Sequence, residues 1–212
     1  MKLTRHSVSS LLIFSVNGLF VVATGYALMY AQWSTLFIVA QGTLLNYTPF
    51  LLEKKYAIHT PREIHASISL FVFGSFILGE VQNFYNTIWW WDALLHFSAG
   101  YMLTVIALIM LSVVFTGKNI TTTPFVMTLF AGSFAIAGSS VWEVYEFLID
   151  PFTETVMQPS LTDTMWDIML ASIASLLASF HGWSYFKKKK TKPTALIEKI
   201  IRDGVQKNQM YS

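Results

Sequence analysis

The 212 residues are 54% hydrophobic and 16% aromatic, with a mean hydropathy of +0.51, and only 12% are charged. That charged content is about half that of a soluble domain and suits a chain held mostly in a bilayer, where nucleic-acid binding is not expected. The absence of cysteine excludes disulfides, thiolate metal sites, zinc fingers and cysteine nucleophiles, and neither a phosphate-binding glycine loop nor a dinucleotide fingerprint is present.

The first residues carry Lys2 and Arg5, and an apolar run follows from Val8 to about Tyr30. Its length matches a full crossing of the hydrocarbon core, and no small-x-small cleavage site follows, so it reads as a retained first transmembrane helix. A second span runs from about Trp33 to Leu52, with Asn46 and Pro49 in its second half, and ends on Glu53, Lys54 and Lys55. A short polar link containing His59 and Arg62 leads to His65 and a third span, about Ala66 to Phe84. Glu80, Gln82 and Asn83 lie at its end.

The fourth span begins near Asp92 and continues to about Phe115, where Gly117 breaks the helix and Lys118 follows. The fifth runs from about Pro124 to Ile149, and the sixth from about Asp163 to Phe186, followed by Lys187 to Lys190. The expected fold is therefore all-α: six transmembrane helices in one bundle over residues 1–186, with a basic tail over 187–212. In that tail Leu196, Ile197, Ile200 and Ile201 share a helical face opposite Lys199 and Arg202, a pattern suited to an amphipathic helix on an anionic membrane surface.

Charge fixes the expected orientation. With the N-terminus cytoplasmic, all 14 Lys and Arg residues fall in cytoplasmic segments, and the C-terminus is cytoplasmic too. The outer links, 30–33, 83–91 and 150–161, contain none. This is a multi-pass cell-membrane protein by its sequence.

The acids collect on the opposite side. Glu80 lies near the outer end of the third span, Asp92 and His96 open the fourth, Glu143 and Glu146 close the fifth, and Asp163 and Asp167 open the sixth. Asp92/His96 and Asp163/Asp167 are four residues apart and Glu143/Glu146 three apart, so each pair shares a helical face. Carboxylates grouped at a membrane boundary repel and lose solvation, and no Lys or Arg on that side offsets them. They must be protonated, hydrated or compensated by a cation. A mostly oxygen donor set with one imidazole favours a divalent Mg, Mn, Fe or Zn ion. Helix capping by Asp92, Asp150 and Asp163, and snorkelling by Glu80, are the structural alternatives. Trp89, Trp90, Trp91, Trp142 and Trp166 read as interfacial anchors, and His181 as structural. Gly100 and the small residues from Ala131 to Ser140 are expected to let the fourth and fifth helices approach closely.

The motifs GEVQNFY from Gly79, WWWDALLHFSAGY from Trp89, WEVYEFLID from Trp142 and DTMWDIMLA from Asp163 resemble the YjdF-like membrane-spanning proteins. More distantly, Asp92-x-x-x-His96, the later glutamate pair and Asp163-x-x-x-Asp167 resemble VanZ-like proteins, associated with glycopeptide-antibiotic resistance, which tend to carry glutamine where this chain has Glu146. The likeness spans roughly residues 63–179.

Three functions follow as expectations. In the first, Asp92, His96 and Asp163, with Glu80, Glu143, Glu146 and Asp167 as further ligands, hold a cation that polarises a lipid or lipid-linked substrate. Glu143, Glu146 or Asp167 then serves as general base. The second is a cation or proton-coupled transporter, for which Gln41 and Asn46 are the only polar steps toward the inner side. The third is an assembly or resistance factor that holds a cation structurally.

Overall fold

Hydrocarbon offers no water to a peptide group, so each crossing segment must satisfy its own backbone as a helix. The computed structural model describes residues 5–56, 61–117, 120–152 and 157–187, and every regular element among them is helical. These are α1 (Arg5–Met29), α2 (Trp33–Tyr56), α3 (Arg62–Val72), a π-helical segment (Phe73–Val81) continuing α3, α4 (Phe84–Thr87), α5 (Trp91–Gly117), α6 (Pro124–Ile149) and α7 (Leu161–Phe186). Six stretches are long and apolar enough to cross a membrane, and they coincide with the six expected spans to within a few residues. This is a multi-pass membrane protein. The expected amphipathic helix of the tail lies outside the described residues, as does His59.

Local chemistry explains where the boundaries shift. The third span stops at Val81 rather than Phe84, because Asn83 adopts the left-handed conformation (φ 62°) that asparagine tolerates better than most residues. The sixth starts two residues before Asp163, because Ser160 is the cap: its Oγ accepts the Asp163 backbone N–H at 3.2 Å. Thr123 caps α6 in the same way, with Pro124 at the first helical position.

The described residues group into two units, one within residues 1–95 and the other from His96 onward. In the first, α1 and α2 form a hairpin joined through Ala31, another left-handed residue (φ 51°). Asn46 Nδ2 donates to Asn17 Oδ1 at 2.7 Å, tying the two helices inside the apolar layer. Gly42 leaves room for the ring of Phe20 and the Cβ of Phe76, both residues buried. The third span packs against both α1 and α2 in this unit.

In the second unit α5, α6 and α7 pack through small residues. Ala131, Ala135, Ala171, Ala174 and Ala178 are wholly buried. A Cβ on Gly100 would collide with the backbone of Ala171, so Gly100 makes a close approach to α7, while Gly138 of α6 faces Leu103 of α5. Ser175 Oγ donates to the Gly100 carbonyl at 3.2 Å across the same contact, and Ser179 Oγ donates to the Thr128 carbonyl between α7 and α6. Without a hydrophobic drive between helices in lipid, such close contacts and hydrogen bonds hold the bundle.

Candidate functional site

The N-terminal turns of α5 and α7 and the C-terminal turns of α6 carry the ionisable groups. His96, Glu143 and Asp167, one from each helix of the second unit, are 7%, 3% and 5% exposed. Charged types are rarely so deeply buried without partners, so their shared depth marks a built feature rather than a solvated rim. His96 Nδ1 lies 3.5 Å from Glu143 Oε1. Asp92 stands one turn before His96 on α5 and is half-buried.

Asp92, His96 and Asp167 each offer one ligand atom, and the three atoms lie within 4.8 Å of one another. A cation held at about 2.0–2.2 Å from each would draw them together by roughly an ångström, within the reach of side-chain rotation. Were both carboxylates ionised at that separation, their repulsion would amount to about 3 kcal/mol at an effective dielectric of ~20. A cation between them removes that cost, as does sharing a proton.

The remaining acids are distributed differently. Glu146 is half-buried and accepts the Trp142 indole N–H at 2.6 Å near the C-terminal end of α6, beside the Tyr145 ring. Asp163 is half-buried in the first turn of α7, where the positive end of the helix dipole favours a carboxylate. Glu80 lies in the π-helical segment of the first unit and is half-buried. These three lie outside the set formed by Asp92, His96 and Asp167. Asp150 closes the loop after α6, accepting the backbone N–H groups of Met157 and Gln158 at 2.7 and 2.9 Å. That is a structural task.

Several features had no sequence signal strong enough to single them out. The π-helical turn is one; such turns recur near functional sites, and here Gly79 admits the Tyr85 ring against the helix. Trp91 donates its indole N–H to the Gly74 carbonyl at 3.2 Å and packs edge-on to Phe84, contacts its reading as an interfacial anchor did not include. Trp89 is 91% exposed. Tyr101 reaches His181 Nδ1 at 3.0 Å, a pair separated by 80 positions that only the packed bundle can bring together.

A scan of family models matches residues 10–188 to the predicted membrane protein family DUF2238. A protein of Thermotoga maritima described as uncharacterized is 27% identical over 147 residues, covering 69% of this chain and 73% of that protein. No solved structure matches. The match covers the six candidate spans except the first two residues of the first, and every ionisable residue of the site, and the chain belongs to the DUF2238 family of membrane proteins.

Proposed function

We propose that the chain holds a divalent cation between Asp92, His96 and Asp167 and uses it on a lipid or lipid-linked substrate entering from the outer leaflet. The observation that carries this reading is the close grouping of two carboxylates and an imidazole, with His96 and Asp167 buried in the bundle. The distribution of Lys and Arg supports placing that end of the bundle on the extracytoplasmic side. A cation there polarises a phosphoryl or carbonyl oxygen and lowers the pKa of a bound water. With Asp167 assigned to the cation, Glu146, half-buried one turn nearer the helix end than Glu143, is taken as the general base that accepts the proton of an attacking water. Its bond from Trp142 orients the carboxyl group.

The YjdF-like resemblance rests on the same motifs that supply these residues. The VanZ-like resemblance rests on fewer of them. A transport reading gains little support: Asn46, one of its two polar steps, is engaged by Asn17.

The test compares lipid extracts from cells lacking the protein with cells complemented by wild type or Asp167→Asn. A lipid or lipid-linked species that accumulates in the deletion, clears with wild type and persists with Asp167→Asn is the expected result. Identical lipid profiles in all three would contradict an enzymatic role.

A further inference from the structure

A histidine can face a cation with either ring nitrogen, and the group beside the other nitrogen decides which. A neutral imidazole carries its proton on one nitrogen and offers the lone pair of the other. Glu143 Oε1 lies 3.5 Å from Nδ1, and the two side chains are 4% and 9% exposed. Glu143 does not join Asp92, His96 and Asp167 in the group of mutually close ligand atoms. A carboxylate beside Nδ1 but outside the ligand set is the arrangement that orients a metal-binding histidine from behind.

We propose that Glu143 is a positioning residue rather than a ligand or a base. Its carboxylate accepts a hydrogen bond from Nδ1–H of His96, and Nε2 keeps its lone pair for a cation shared with Asp92 and Asp167. This rests on the cation-site reading above. The separation of 3.5 Å is about half an ångström longer than a formed N–H···O bond, and a small rotation of either side chain closes it. Polar contacts at such sites commonly tighten when the ligand binds. The division of labour follows from the helix. Glu143 is buried at the level of the imidazole and Glu146 lies one turn nearer the helix end, so the two acids of WEVYEF serve different partners.

The experiment uses the full chain in detergent, with Glu143→Leu, Glu143→Asp and His96→Gln beside wild type. Two readouts are taken: the affinity and visible spectrum of bound Co²⁺, and the ¹⁵N signals of histidine-labelled metal-free protein, with His96 assigned by its loss in His96→Gln. In wild type, His96 is expected as the Nδ1–H tautomer. Glu143→Leu should shift it toward Nε2–H and weaken Co²⁺ by about 10–100-fold while leaving the spectrum of the bound ion unchanged. Glu143→Asp should recover part of both.

An unchanged tautomer in Glu143→Leu overturns the positioning role, and so does a changed Co²⁺ spectrum, which would make Glu143 a ligand. Failure of wild type to bind Co²⁺ would instead count against the cation site, while the tautomer comparison still reports on Glu143.

Discussion

Gly100→Ala tests the packing that sets the site. Gly100 lies one turn beyond His96 on α5, and Ala171 lies one turn beyond Asp167 on α7. The added Cβ would strike the Ala171 carbonyl oxygen and sit 2.8 Å from its Cα and carbonyl carbon. These are backbone atoms, which cannot swing aside as a side chain can, so the helices must part. In an isolated helix the exchange stabilises by about 1 kcal/mol. Overpacking a close contact costs about 1–3 kcal/mol, and a backbone neighbour places the cost at the upper end. The net expectation is a loss of about 1–2 kcal/mol, or an apparent Tm lower by roughly 2–8 °C in a detergent melt. The same displacement should weaken retention of a cation by His96 and Asp167. Gly25→Ala is the control: nothing lies within 4 Å of a Cβ there, so the substitution should be neutral or slightly stabilising. A Gly100→Ala protein that melts with wild type would refute the proposed backbone contact.

Other substitutions probe separate parts of the account. Asp150→Ala removes the acceptor of two backbone N–H groups, so hydrogen exchange at Met157 and Gln158 should accelerate while protection within α6 and α7 is retained. Asn46→Leu breaks the bond to Asn17 and should cost about 0.6–2 kcal/mol, measured by unfolding in mixed micelles; a larger loss would mean that Asn46 does more than join α1 to α2.

Much of the fold was legible because the bilayer imposes its own arithmetic. Apolar stretches of about 20 residues, punctuated by Pro124, Gly117 and the paired Lys54 and Lys55, define the spans to within a few residues. The position of Asp92, Glu143 and Asp167 in the terminal turns of their helices was legible too. Which of them meet was not. Helical spacing shows which residues of one helix share a face, but the rotation of each helix against its neighbours depends on packing. Gly100 was recognised as a close-approach residue, yet nothing local reveals that its neighbour is Ala171 rather than a residue of α6. The same limit hid the Tyr101–His181 and Asn17–Asn46 pairs. The π-helical turn escaped because Gly74 and Gly79 permit it without requiring it.

The cation site is tested most directly by the metal content of the purified, detergent-solubilised protein, wild type beside Asp92→Asn/His96→Ala. The account predicts near-stoichiometric divalent metal in the wild type and its loss in the double variant, with the fold retained. Equal metal in both, or none in a wild-type protein supplied with Mg²⁺, Mn²⁺, Fe²⁺ and Zn²⁺, would contradict it.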